Sequence, residues 1–214
     1  MTWGFNMKEK MYLFIKRVFD LFVSFIGILI FLPVLGIVKL CYVISGDFEP
    51  VLFTQRRIGK DGVSFKFYKF RTMVRNADGV LKELMETDPA IYKEYTMYKK
   101  LSNDPRVTPI GRILRKTSLD EIPQFLNVFK GDMSVVGNRP YLPREEEDMG
   151  RYFDEIVKTK PGITGYWQVY LRSNGSFKER LKMEKYYSNH YSLLLDIKIF
   201  FMTFIKILPS SAAK

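Results

Sequence analysis

Cysteine and histidine are almost missing from this chain: Cys41 and His190 are the only ones among its 214 residues. A lone cysteine cannot form a disulfide within the chain, and one residue of each type leaves too few ligands for a Cys/His zinc site. A Ser–His or Cys–His nucleophile would have to use His190, which within "YYSNHYS" reads as a surface or packing residue. Any catalysis therefore falls to carboxylates, lysines, arginines and a hard metal ion. Acid is also scarce, with 34 Lys and Arg against 23 Asp and Glu and a formal net charge of +11. That excess must face something anionic, whether nucleic acid, an acidic membrane surface or phosphorylated substrates. Internal repeats and low-complexity tracts are absent as well. Apolar residues are not lacking: at 47%, with 15% aromatics, they are enough for a packed core.

The first organised feature is "LFVSFIGILIFLPVLGIV", an uncharged run from Leu21 to Val38. As a straight helix it would reach about 27 Å, close to the ~30 Å of hydrocarbon in a bilayer. No small-residue cleavage site follows it, as a signal peptide would require. Pro33 lies inside the run, where it removes a helix hydrogen bond. The flanks are basic on both sides: Lys8, Lys10, Lys16 and Arg17 before, Lys39, Arg56, Arg57 and Lys60 after. Because basic flanks favour the cytoplasmic side, both ends are favoured there. A helix broken at Pro33 that dips into one leaflet and returns satisfies both facts; a kinked plain span stays open beside it.

Downstream, "VLFTQRRIGKDGVSFKFYKF" places two β-prone runs around a turn at Asp61-Gly62. The outgoing strand alternates Val63, Phe65 and Phe67 with Ser64 and Lys66, and delivers Lys69 and Arg71 at its end. Those cations read either as a solvated strand end or as phosphate binders. A charged helical stretch covers 76–100, and "SNDPRVTPIG" is a turn-rich link. Another helix is expected from near Ile122 to Phe129, stopped at Lys130-Gly131. "VVGNRP" and "KPGITGYW" read as ligand-side loops. "YSLLLDIKIFFMTFIKIL" reads as an amphipathic helix at a membrane interface or on the core, since Asp196, Lys198 and Lys206 punctuate it. The tail at 209–214 is expected to be disordered.

"KTSLDEIPQ" sets Asp120 beside Glu121 among cations. Ser118-x-x-Glu121 matches a capping box, with Asp120 in a first helical turn where negative charge suits the dipole. Pro123 complicates a helix capped by Ser118; if the regular helix starts at Pro123 instead, both acids precede it. In either case they sit near a helix N-terminus, a place that also attracts phosphate. Adjacent helical residues point about 100° apart, so the two acids suit different roles rather than one clamp. With Arg115, Arg139 and a divalent ion nearby, Asp120 is expected to stay ionised with a lowered pKa. Such a carboxylate can attack phosphorus while the cations offset the phosphoryl charge.

"KFRTM" (69–73), "LRKTSLDEIPQFLNVFKGDMSVVGNRP" (114–140) and "KPGITGYWQV" (160–169) together resemble the bacterial sugar transferases, monotopic phosphoglycosyl transferases acting on polyprenyl phosphate. The resemblance runs from about Lys16 to Leu208. It implies an α+β, mainly helical fold. Residues 1–45 would form a re-entrant membrane hairpin broken at Pro33, and 46–208 a catalytic domain on the cytoplasmic face of the bacterial inner membrane, with a small β-hairpin and interfacial amphipathic helices. The reaction implied is Mg²⁺-dependent transfer of a sugar 1-phosphate from a UDP-sugar to undecaprenyl phosphate, releasing UMP. Glucose or galactose is the first choice of sugar, and an N-acetylated sugar the alternative. Asp120 maps to the nucleophile and a metal contact, and Glu121 to its assistant. Arg115, Arg139 and Pro140 map near phosphate, and Lys69, Arg71, Gly165 and Gln168 fall in the substrate-binding segments.

Implied partners are the donor, the lipid acceptor and the phospholipid membrane, with homo-oligomerisation left open. A non-enzymatic basic scaffold for lipid or nucleic acid fits less well, because the cations form no continuous stripe. The chain departs from the family at three places. Asn138 stands where Val-Gly-Pro-Arg-Pro has its first proline, which puts the rigidity of the loop beside Arg139 in question. Leu32 stands in place of a serine before Pro33, and Tyr170-Leu171-Arg172 in place of a small residue, glycine and arginine.

Overall fold

A computed structural model describes residues 7–171 and 175–207; Arg172 and the tail at 209–214 lie outside them. The architecture is mainly helical α+β, with one long apolar helix at the N-terminus and two small two-stranded sheets.

Helix α1 (Met7–Ile44) is long and apolar enough to cross a membrane. One narrow stripe of it is buried: Asp20, Ser24, Gly27, Phe31, Val38 and Tyr42, at the three- and four-residue spacing of one helix face. The opposite face exposes Phe22, Phe25, Leu29, Leu32, Ile37 and Leu40. The break expected at Pro33 does not interrupt the helix, which runs through it as one element. A proline removes a single ladder bond. Phe31, Val34, Leu35 and Val38 pack on the same cluster on both sides of it and hold the flanking turns in line.

Strands β1 (Leu52–Ile58) and β2 (Ser64–Phe70) form the expected antiparallel hairpin, in register from Leu52 opposite Phe70 to Ile58 opposite Ser64. Its turn places Asp61 at φ 55° and Gly62 at φ 78°, the positive values that this residue pair tolerates. Phe65 and Phe67 face the main core with Val128, Met133, Val135, Val136, Val169, Tyr187 and Ile199. The charged helical stretch is two helices, α2 (Ala77–Thr87) and α3 (Pro89–Tyr98), divided where the Asp88 side chain caps α3 by accepting from the Ala90 amide at 2.8 Å.

Next come α4 (Pro109–Lys116), a 3₁₀ turn (Leu119–Gln124) and α5 (Phe125–Lys130), which ends at Gly131 with φ 92° as the glycine stop requires. The segments read as ligand-side loops hold a second sheet instead: β3 (Ser134–Val136) lies parallel to β4 (Gly162–Thr164). Three-residue strands show no alternation to read, and their pairing spans the intervening helices α6 (Glu146–Met149) and α7 (Phe153–Ile156). The strands approach so closely that a Cβ on Gly137 or Gly162 would overlap the facing backbone.

The chain closes with α8 (Tyr166–Tyr170), α9 (Phe177–His190) and α10 (Leu193–Ile207). In α10, Ile199 is buried while Leu194, Ile197, Phe201 and Phe204 are exposed, the expected amphipathic split. Asp196, however, is buried and accepts from the Tyr187 and Tyr12 hydroxyls at 2.7 and 2.8 Å. His190 is a surface residue, stacked on Tyr186.

Three successive polar side chains join α1 to the core. Lys16 donates to the Val136 carbonyl at 2.9 Å and pairs with Asp196. Arg17 donates to the Val128 and Phe129 carbonyls at the end of α5, where a cation suits the helix dipole. Asp20 accepts from the Ser134 hydroxyl at 2.9 Å and the Val135 amide at 2.8 Å, all buried. Replacing Asp20 by alanine leaves both donors unsatisfied. An Asp20→Ala variant is expected to lose about 1–3 kcal/mol, a drop in Tm of roughly 2–4 °C per kcal/mol in thermal unfolding.

Candidate active site

Alternation along β2 puts Lys69 on the same face as Phe65 and Phe67, so two buried phenylalanines oblige the lysine to point inward at the strand's end. There its Nζ lies 2.8 Å from Glu121 Oε1 and 3.4 Å from Asp120 Oδ2. Arg115 arrives from α4. That helix is capped by Thr108, whose hydroxyl accepts from the Gly111 amide at 3.0 Å, and it docks tightly because Gly111 rests on the Thr72 backbone. Arg115 Nε donates to Thr72 Oγ1 at 3.0 Å.

Between α4 and α5 the chain reverses at Ser118, which adopts φ 56°. The capping box does not form. Ser118 makes no side-chain cap bond, only its carbonyl accepts from the Glu121 amide, and the Glu121 carboxylate turns to Lys69. A serine in the left-handed region cannot aim its hydroxyl along a helix beginning there, and regular α-helix starts only at Phe125. Asp120 and Glu121 thus occupy the 3₁₀ turn ahead of α5, one buried and one half-exposed.

The protein's side chains do not by themselves give the lowering of the Asp120 pKa expected beside Arg115, Arg139 and a divalent ion. Burial pushes its carboxyl above the usual range, with Glu121 adding to the rise, and the pull of Lys69 and Arg115 does not offset this. The charged form exists among cations but is poorly solvated, which suits a nucleophile more than a salt-bridge partner.

The remaining expected site residues divide. Arg139 follows β3; its amide donates to Glu184 Oε1 at 2.9 Å, and the Pro140 carbonyl accepts from Arg57 at 3.0 Å. Asn138 answers the question raised by the missing proline. Its buried amide nitrogen lies within hydrogen-bond distance of the Ile156 carbonyl and the Thr159 and Ser188 hydroxyls, so side-chain bonds pin the loop. Arg71 is engaged away from the acidic pair. It donates to the Pro50 carbonyl and Asp47 at 2.9 Å each and lies 4.4 Å from the centre of the Tyr42 ring. Gly165 backs onto the Gly137 carbonyl and Gln168 donates to the Ile163 carbonyl at 3.1 Å, positions that shape the β4–α8 corner. Sequence reasoning missed Arg57, Thr72, Arg180 and Glu184. Arg57 was within reach, since it faces Phe65 across the hairpin on the inward side.

Among the described residues no group of three or more His, Cys, Asp or Glu converges as a metal cage. Two adjacent carboxylates still fit Mg²⁺, which commonly takes one or two carboxylates and completes its shell with substrate phosphates and water.

The model of the family described as "Bacterial sugar transferase" matches residues 11–210. The chain belongs to the bacterial sugar transferase family. It is 41% identical to the undecaprenyl-phosphate galactose phosphotransferase of Salmonella typhimurium, over 92% of this chain and 41% of that one. It is 35% identical to the UDP-glucose:undecaprenyl-phosphate glucose-1-phosphate transferase of Escherichia coli, over 93% of this chain and 41% of that one. With the exopolysaccharide production protein ExoY of Sinorhizobium fredii it shares 40% identity over 88% of this chain and 83% of the relative. The chain therefore spans less than half of the two named phosphotransferases and most of the third relative.

The raised affinity of Asp120 for its proton has a consequence for stability. Above the ordinary aspartate range the unfolded chain has released this proton while the folded state still favours it, so ionisation lowers stability as pH rises through the folded pKa. Asp120→Asn is expected to raise Tm at neutral pH, and the gap should close as pH falls below the ordinary aspartate pKa of about 3.9. Thermal unfolding across pH measures it.

Proposed function

We propose that this sugar transferase moves a hexose 1-phosphate from a UDP-sugar to undecaprenyl phosphate, in two displacements through Asp120. The observation carrying this reading is the buried Asp120 carboxylate held next to Glu121 and Lys69 within reach of Arg115. In the first displacement an Asp120 oxygen attacks the sugar-bearing phosphorus of the donor. The bond from that phosphorus to the bridging oxygen breaks, UMP leaves with the electron pair, and a phosphosugar remains on Asp120. In the second, the phosphate oxygen of undecaprenyl phosphate attacks the same phosphorus and returns Asp120 as a free carboxylate.

Lys69 and Arg115 counter the negative charge that builds on the phosphoryl oxygens, and burial strengthens their effect. Mg²⁺ held by Asp120, Glu121 and the donor phosphates would supply further charge neutralisation. Galactose is the favoured sugar, because the relative with the higher identity among the two named phosphotransferases carries galactose in its name.

The membrane mode belongs to the same reading. The folded domain grips α1 near one end at Lys16 and near the other at Tyr42, whose hydroxyl donates to the Arg71 carbonyl. A helix held at both ends by one domain cannot cross to the far side of a bilayer. With basic flanks on both sides, α1 dips its outer face into a single leaflet, Pro33 allowing it to bend, and leaves the domain in the cytoplasm. The outward apolar residues of α10 contact the same surface.

UDP-galactose with Mg²⁺ and undecaprenyl phosphate is expected to release UMP, and UDP-galactose alone to add a hexose-phosphate mass to the peptide holding Asp120. Asp120→Asn should lose on the order of 10³-fold or more in transfer. Activity that survives this substitution sinks the assignment, and a panel with UDP-glucose and UDP-N-acetylgalactosamine reads the sugar. For topology, Asp61→Cys in a Cys41→Ser background should resist membrane-impermeant thiol reagent added to intact cells and react after lysis.

A further inference from the structure

Beyond the acidic pair, the buried polar side chains divide unevenly between satisfied and unsatisfied. Among the described residues, the buried Arg57 Nε, Arg139 Nε, Arg180 Nε and Trp167 Nε1 lack a protein hydrogen-bond partner, while the Tyr141 hydroxyl and Glu184 Oε2 have only each other. These side chains belong to one neighbourhood. Arg57 donates to the Pro140 carbonyl, the preceding residue binds Glu184 through the Arg139 amide, and Tyr141 follows Pro140. Arg180 lies one helical turn before Glu184 on α9 and covers the Trp167 ring, its guanidinium 4.6 Å from the ring centre.

None of the three arginines has a carboxylate partner among the ion pairs of the described residues. Arg180 is 4% exposed, and its second nitrogen reaches only the Tyr98 carbonyl at 3.4 Å. Burying a guanidinium without a counter-charge is costly, and mutual repulsion among three adds to the cost. The repulsion is visible in Arg57, whose pKa is pushed down to about 9, first by burial and next by Arg139. The nearby carboxylates do not cure it. Glu184 gives one oxygen to a backbone amide, and burial raises its pKa to about 7; Glu145 gives one to the Leu142 amide. Three neighbouring guanidinium groups with unsatisfied N–H donors and no direct ion pair to Glu184 or Glu145 match a ligand phosphoryl group, which accepts several charge-assisted bonds at once. The basin adjoins the acidic pair across one side chain, because the Phe67 ring has Arg57 5.3 Å and Lys69 5.9 Å from its centre.

We propose that Arg57, Arg139 and Arg180 form a phosphoryl-binding basin beside the Asp120 pair, with Arg57 and Arg180 as substrate-binding residues of the transfer reaction. The identity of the ligand rests on the function proposed above. The phosphate of the departing nucleotide and that of the lipid acceptor share the required chemistry, and the experiment separates them. The basin holds the phosphate that is not being attacked, fixing the other phosphorus against Asp120.

Trp167 is one of two tryptophans in the chain, so its fluorescence reports on the basin once Trp3 is replaced by phenylalanine. Full-length protein carrying Trp3→Phe and Asp120→Asn, which cannot form the phosphosugar bond, is titrated in lipid nanodiscs with UMP. In a second arm the nanodiscs contain undecaprenyl phosphate. A saturable fluorescence change is expected in one arm, and that arm names the source. Arg57→Gln and Arg180→Gln should each weaken the binding about tenfold or more, as expected for loss of a charged hydrogen bond. Arg57→Lys, which keeps the charge, should recover part of it. Isothermal titration repeats the comparison for Arg180→Gln, where the substitution itself alters the environment of Trp167, and circular dichroism verifies folding. Binding unchanged in both glutamine variants, or no binding in either arm, overturns the basin. Should the basin fail while UDP-galactose still labels Asp120 in the unsubstituted enzyme, the proposed function stands without it. Arginine-dependent binding with no label on Asp120 keeps the basin and removes the nucleophile.

Discussion

The seam between α1 and β3 is the contact on which the rest of the molecule depends. A largely apolar helix commits Lys16, Arg17 and Asp20 to it, and each reaches a different part of the core. Arg17 holds the last carbonyls of α5, the helix whose preceding turn carries Asp120 and Glu121. Asp20 satisfies the start of β3, the strand that runs on into Arg139. Gly27, two turns further along α1, lets the Phe125 ring at the start of α5 pack against the helix backbone. The helix that contacts lipid in the proposed function is therefore also the strut that positions both ends of the site.

Charge in this protein is governed by burial more than by sign. A net charge of +11 suggests a site where every carboxylate stays comfortably ionised. Asp120 instead holds its proton more tightly than usual, because desolvation outweighs Lys69 and Arg115. The same physics acts in reverse on Arg57. An anionic ligand would relieve only the arginine: beside Arg57 it supplies the missing counter-charge, whereas beside Asp120 it adds to the repulsion that Glu121 already exerts.

Several features were legible from short stretches because their causes are local. The hairpin follows from alternation and from Asp61-Gly62 at positive φ, and the end of α5 from Gly131. Strand parity accounts for the inward face of Lys69, while its meeting with the acidic pair is a contact across 51 to 52 residues of chain. Others were misread for reasons equally physical. Ser118 and Glu121 have the spacing of a capping box, but the left-handed turn at Ser118 and the pull of Lys69 take both side chains elsewhere. Pro33 looked like a break, and packing on both sides carries the helix through it. Asn138 looked like a loss of rigidity, yet side-chain bonds replace what a ring would have supplied.

By itself the sequence determined the chemical repertoire: no cysteine or histidine machinery, adjacent carboxylates among cations, and an apolar helix with basic flanks. Those are properties of residue type and near neighbours, which no folding step alters. Only the tertiary structure decided the pairing of β3 with β4, the burial that turns Asp120 against its cations, and the gathering of Arg57, Arg139 and Arg180 from three distant segments. Burial and convergence are sums over contacts between residues far apart in the chain, and no local window contains them.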